Sequence, residues 1–226
     1  MARAFGMLRS LTYGAIGAAR NAAAALLVLA GAAQAETVTI AALGDSLTQG
    51  YGLIDEEGFV PQMEAWLRDQ GAEVALVNAG VSGDTTAGGL SRVNWTLTPQ
   101  VDALIVALGG NDMLRGIAPE VARANLDGIM QAASQADKPV LLVGMQAPGN
   151  YGPDYKDAFD AIYPDLADTY DSLLFPNFFE GIMAEDLSRV RETYMQPDGI
   201  HPNADGVKRI VEAMGPAVLD LVARVD

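Results

Sequence analysis

The sequence contains no cysteine. Disulfides, zinc–thiolate sites, iron–sulfur clusters and a cysteine nucleophile are therefore all excluded, and stability must come from the apolar core. Histidine is almost as scarce, with a single copy, His201. Any chemistry that needs an imidazole base has to use that residue. Basic side chains are few as well: 14 Lys and Arg stand against 29 Asp and Glu, for a formal charge of −15. A surface of that sign repels nucleic acid and anionic membrane, and neither is expected as a partner. The longest uninterrupted apolar run, residues 22–32, falls short of the roughly 20 needed to cross a bilayer.

That run has a different reading. Arg3, Arg9 and Arg20 precede or open it, no acidic residue occurs before Glu36, and it ends in Ala33-Gln34-Ala35. A basic start, a short apolar stretch and small residues at −3 and −1 are the marks of a secretory signal peptide. The expected organisation is a leader over 1–35, cleaved near Ala35, and one domain over 36–226. The product is expected in the periplasm or secreted, as a monomer, with no stable membrane insertion after cleavage.

Beyond residue 36, short apolar runs alternate with amphipathic stretches. Residues 38–43, 74–77, 103–108, 139–144 and 172–175 read as strands. Phe59, Val60, Met63, Trp66 and Leu67 recur at helical spacing ahead of Gly71. A second helix is expected over about 85–94 and a third from Pro119, with Val121, Leu126, Ile129, Met130 and Ala133 on one face. A loop over 146–155 leads into a helix reaching Tyr170, and a last helix carries Val207, Ile210, Val211 and Met214, bent at Pro216. Continuous apolar strands interleaved with helices predict an α/β fold with a mostly parallel five-stranded sheet covered on both faces. In such sheets ligands bind at the carboxyl ends of the strands.

Four polar blocks fall just after strands or near the C-terminus. Gly44-Asp-Ser-Leu-Thr-Gln-Gly-Tyr-Gly52 follows the first strand and exposes Ser46, a hydroxyl that needs a base to become a nucleophile. Asn78-Ala-Gly-Val-Ser-Gly-Asp-Thr-Thr86 follows the second, where the Gly80 N–H could face a developing oxyanion. Gly109-Gly-Asn-Asp112 follows the third, and its Asn111 amide is a second possible donor, worth typically about 3–4 kcal/mol of barrier. Asp198-Gly-Ile-His-Pro202 sets a carboxylate three residues before the only imidazole, where it could hold the ring and fix its tautomer. Pro202 would then open the last helix. Each block also has a plain alternative: Ser46, Ser82 or Asp84, and Asn111 or Asp112, as turn or helix caps, and His201 as a surface residue beside a capping aspartate. The Gly-x-Ser-x-Gly elbow of the α/β-hydrolases is missing.

Taken together, the four blocks resemble the GDSL, or SGNH, hydrolase family across essentially residues 37–224. The resemblance implies a flavodoxin-like three-layer α/β/α sandwich and a serine enzyme acting on esters without metal or organic cofactor. It assigns Ser46 as nucleophile, His201 as base and Asp198 as its orienter, with Ser46, Gly80 and Asn111 forming the oxyanion hole. Gly149-Asn-Tyr-Gly152 and Ala161-Ile-Tyr-Pro164 are similar to the periplasmic thioesterase I, protease I, lysophospholipase or arylesterase branch. The implied substrate is a small acyl or aryl ester, a thioester or a lysophospholipid. Asn150, Tyr151 and Gly152 of the 146–155 loop, and Phe178 of the apolar stretch 175–179, are the candidates for contact with it. An acetylated carbohydrate is the alternative substrate, and a non-catalytic envelope binding protein the alternative class.

Overall fold

The computed structural model describes residues 37–183 and 186–225; the leader expected over 1–35 lies outside the described residues. From Thr37 onward the chain forms one compact unit. In chain order its elements are β1 (Val38–Gly44), α1 (Ser46–Gln49), α2 (Phe59–Asp69), β2 (Val74–Gly80), α3 (Thr86–Thr96), β3 (Ala103–Ala107), α4 (Gly110–Leu114), α5 (Pro119–Gln135), β4 (Val140–Val143), α6 (Pro153–Asp160), α7 (Ile162–Tyr170), β5 (Leu173–Phe175), α8 (Glu180–Met183), α9 (Leu187–Thr193) and α10 (Ala204–Val222).

The five strands make one sheet in the order β2-β1-β3-β4-β5, every pair parallel. The α/β sandwich expected from the alternation is the fold observed. Ile40–Leu43, Leu104–Val106 and Leu141–Val143 are sealed from solvent, since parallel strands need cover on both faces. Helices α2 and α10 pack against each other, as do α3 and α5. Gly215 is what lets α10 come close to α2: a Cβ there would overlap the Trp66 ring. The register aligns Gly44 of β1 with Gly80 of β2 and Ala107 of β3. Three polar blocks therefore leave the sheet at the same level, on its carboxyl edge.

β2 is an edge strand, with Val77 45% exposed. Its free backbone is covered from α2: Leu76 N–H donates to Glu64 Oε2 at 2.7 Å, and the Arg68 guanidinium donates to Val74 C=O at 3.0 and 3.2 Å. Glu64 and Arg68 themselves pair at 2.8 Å, so one i,i+4 couple blunts an edge that could otherwise recruit another strand.

Three local expectations are corrected. In α5 it is Ala122 that faces the core, while Val121 is 50% exposed. The helix expected to run to Tyr170 is two, broken at Ala161, where Pro164 has no N–H to offer the Asp160 carbonyl and one ladder bond is missing. Helix α10 continues past Pro216 to Val222, with one face from Val207 to Leu221 buried in the core. Pro202 does not open α10: Asn203 is the N-cap, its Oδ1 accepting from Gly206 N–H at 2.9 Å, a better cap than an imidazole can provide.

Candidate active site

Ser46 is the first residue of α1, a single helical turn that begins directly off β1. Asp45 caps that turn, its Oδ1 accepting from Leu47 N–H at 3.0 Å. The cap leaves the Ser46 N–H, one of the orphan donors of a helix start, without a partner inside the turn. Gly44 has to be glycine, because a Cβ would overlap the Thr48 side chain and press on the Ala107 carbonyl at 3.0 Å. Gly50 ends the turn at φ 90°, a left-handed conformation that other residues adopt at a cost.

The C-terminal block reaches the same point from the other side. Ser46 Oγ lies 2.9 Å from His201 Nε2, and His201 Nδ1 lies 2.6 Å from Asp198 Oδ2. The other Asp198 oxygen accepts from the backbone N–H groups of Ile200 and His201, at 2.9 and 3.0 Å. The bond to His201, reinforced by those two N–H groups, holds the Asp198 carboxyl down at about 2. An ionised Asp198 can only accept, so Nδ1 carries the imidazole proton and Nε2 is left to accept from the Ser46 hydroxyl. Gln196 ties the loop together: its N–H donates to His201 C=O at 2.7 Å, and its amide donates to the carbonyls of Tyr51 and Pro202 at 2.8 and 3.0 Å. The Tyr51 ring lies over the imidazole with centroids 4.6 Å apart.

Asn111, the second residue of α4, is half-buried and donates through Nδ2 to Asp45 Oδ2 at 3.3 Å, with one amide hydrogen to spare. Asp45 was not singled out in the sequence, yet it touches both the nucleophile turn and Asn111. It is 2% exposed, and burial pushes its carboxyl up to about 6, opposed by the Leu47 N–H, the Asn111 amide and the charge of His201. Asp112 turns out to be an anchor: its buried carboxylate accepts from Thr86 N–H and hydroxyl at 2.8 and 2.6 Å, fastening the start of α3 to this block. Beneath it Gly109 takes φ 118°, and a Cβ there would overlap the Tyr163 hydroxyl, which itself donates to Leu108 C=O at 3.0 Å.

Gly80 does not offer the free donor expected of it. It lies within β2, and its N–H already donates to Asn78 Oδ1 at 3.0 Å. Its lack of a side chain serves packing instead, since a Cβ would strike the backbone of Gln49 and the Asp45 carbonyl, where α1 leans on the strand. The other glycine of the block, Gly83, sits in the turn at φ 83° with its carbonyl held by Arg115 at 2.7 Å and its N–H unbonded among the described residues. The Ser82-Gly83-Asp84 turn signature was the available cue.

Asn150 and Tyr151 are exposed on a short turn that ends at Gly152, where φ is 89°. The Tyr151 ring faces Gly116, and Tyr155 donates to Ile117 C=O at 2.9 Å, so this loop borders the segment that follows Asn111. Phe178 is corrected: it is 1% exposed, its ring 5.4 Å from those of Phe59 and Phe179, and it has no free surface for a substrate. A cleft lies at the opposite, amino-terminal edge of the sheet, between Asp102, Lys138, Ser172 and Arg224, away from these residues. Among the described residues no group of His, Asp and Glu side chains is arranged to hold a metal ion.

Residues 42–209 match the model of the GDSL-like lipase/acylhydrolase family. The chain is 39% identical over 199 residues to Esterase TesA of Pseudomonas aeruginosa, covering 88% of this chain and 95% of that protein. It is 38% identical over 193 residues to Thioesterase 1/protease 1/lysophospholipase L1 of Escherichia coli K12, covering 84% and 87%. It superposes on the crystal structure of AlinE4, an SGNH-hydrolase family esterase, with a TM-score of 0.68 and 43% identity, over 83% of this chain and 98% of the other.

Proposed function

The chain belongs to the GDSL-like lipase/acylhydrolase family and is an ester-hydrolysing serine enzyme, and from that premise we propose that Ser46, His201 and Asp198 perform the hydrolysis. The observation that carries this reading is the unbroken chain of contacts from Asp198 through His201 to Ser46, at 2.6 and 2.9 Å. Ser46 Oγ attacks the acyl carbon as its proton passes to His201 Nε2, and Asp198 stabilises the imidazolium that forms. The oxyanion accepts from the Ser46 N–H, the Gly83 N–H and the free hydrogen of the Asn111 amide. His201 then gives its proton to the departing alkoxide or thiolate, leaving an acyl group on Ser46. Water attacks that ester with His201 again as base, and the free acid leaves.

The names of the relatives support a small-molecule acyl ester or thioester, with a lysophospholipid in the same class. In this reading the exposed loop 149–152 meets the part of the substrate beyond the reacting carbonyl. Residues 1–35 act as an export leader, so the working enzyme is a monomeric 36–226 domain in the periplasm or outside the cell. No helix among the described residues is long and apolar enough to cross a membrane.

The nucleophile assignment is tested by ester hydrolysis with Ser46→Ala. Triad loss normally costs more than about a thousandfold, so a variant retaining more than that fraction sinks it. A series of p-nitrophenyl esters beside a thioester and a lysophospholipid tests the substrate. Turnover of chains of eight or more carbons is expected, and a strict preference for acetate transfers the reading to sugar esters.

A further inference from the structure

Arg92, on α3, has no part in the reaction just described, yet its side chain joins three of the segments that serve it. Its side chain is 21% exposed, and its guanidinium donates to three acceptors, one at the end of β1 and two around the turn after β2. Nη2 donates to Gly44 C=O at 2.7 Å, Nη1 to Ala79 C=O at 2.6 Å, and Nε to Asp84 Oδ2 at 2.7 Å. Gly44 is the last residue of β1 and stands two before Ser46. Ala79 stands at the end of β2, where the chain turns toward Gly83. Asp84 is bonded directly to Gly83.

Two further contacts bear on the same turn. The Gly44 carbonyl also accepts from Val81 N–H at 3.0 Å, so β1 and the residue after β2 are bound at the point Arg92 grips. The Gly83 carbonyl is held by Arg115 at 2.7 Å. Gly83 itself has φ 83°, and glycine is the residue with the widest backbone freedom. An N–H on such a turn points wherever its neighbours hold it. Here one arginine fixes the carbonyl of Gly83 and another fixes the carboxylate of the next residue.

We propose that Arg92 is a positioning residue for catalysis: through Gly44, Ala79 and Asp84 it holds the turn bearing Ser46 and the turn bearing Gly83 at the separation that the oxyanion needs. The inference rests on the assignment of Ser46 as nucleophile. Its physical basis is the planar fork of the guanidinium, which presents N–H groups in fixed, divergent directions. A lysine ammonium is a point donor on a flexible stem and cannot span the three acceptors together. The loss therefore appears when charge complements charge in the transition state, not when the ester first binds.

The test compares wild type, Arg92→Lys, Arg92→Ala and Ser46→Ala on one p-nitrophenyl ester, with thermal melts of each. Affinities are measured for an alkyl boronic acid, which forms a tetrahedral adduct on a serine, and for the product carboxylic acid. The expected result for Arg92→Lys is a kcat lower by about 10- to 100-fold, since misplacement of about 1 Å can cost a hundredfold. KM stays within about threefold, boronate affinity falls in step with kcat, and product affinity does not change. If Arg92→Ala does not fold, Arg92→Lys alone decides. A kcat within about twofold of wild type in the folded variants overturns the proposal, and so does an equal loss of boronate and product affinity. Activity retained by Ser46→Ala instead overturns the nucleophile assignment; an inactive Ser46→Ala beside fully active Arg92 variants refutes the role of Arg92 alone.

Discussion

Replacing Asp45 by Asn should change how stability depends on pH, because burial shifts its carboxyl. Asp45 is 2% exposed, and burial raises its carboxyl from the ordinary 3.8 to about 6. Below about pH 4 both folded and unfolded chains hold the proton. As pH rises toward 6 the unfolded chain releases it while the folded chain keeps it, so the folded state binds more protons and loses stability. At about 1.4 kcal/mol per pH unit the penalty is about 3 kcal/mol, complete above about pH 6. Asparagine does not titrate. It also brings a fixed cost, because its single oxygen cannot accept from both Leu47 N–H and the Asn111 amide as Asp45 does. That cost is the same at every pH, so it cancels from the slope. Urea unfolding of both proteins at pH 4, 5, 6 and 7 reads the effect directly. The stability of wild type relative to Asp45→Asn should fall by about 2 kcal/mol across that range. A difference that stays flat within about 0.5 kcal/mol would refute the assignment of a buried, proton-holding Asp45.

Phe178→Ala should cost about 3–5 kcal/mol in denaturant unfolding while leaving kcat/KM for short esters within about twofold, because the ring is core and not substrate surface. A large kcat/KM loss without destabilisation would contradict that. Asp198→Asn should lower kcat by roughly 10⁴-fold, since the amide cannot hold the base in the required tautomer. In wild type the support of Asp198 for His201 is present above 3.8 and lost only as pH falls through about 2; His201→Ala should return the Asp198 titration, read by carbon NMR, toward 3.8.

The sheet was legible because Val38-Thr-Ile-Ala-Ala-Leu43 and the other apolar runs can hardly be anything but buried strands. The helix at Phe59, Val60, Met63 and Leu67 was legible for the same reason, its spacing matching the face it buries. Less was visible where a choice rests on a contact between distant segments. Val121 and Ala122 are both apolar, and it is Ala122, four residues before Leu126 and seven before Ile129, that shares the buried face. Gly80 and Gly83 are both glycines of one block, and what separates them is that Asn78 takes the N–H of the first. Asp45 reads as part of a motif, but its partner Asn111 is 66 residues away. The reach of Arg92 to Gly44 spans 48 residues and leaves no trace in local pattern. Phe178 belongs to the apolar stretch 175–179, which could serve a substrate or the core equally well, and only the contacts with Phe59 and Phe179 decide for the core.

The central claim is that Ser46 attacks and His201 takes its proton. Reaction with an alkyl fluorophosphonate, followed by intact mass and peptide mapping, tests it without a choice of substrate. Wild type should gain a single adduct, located on Ser46; Ser46→Ala should gain none, and His201→Ala should react at least about a thousandfold more slowly. An adduct on any other residue, or labelling of Ser46→Ala at the wild-type rate, would contradict the account.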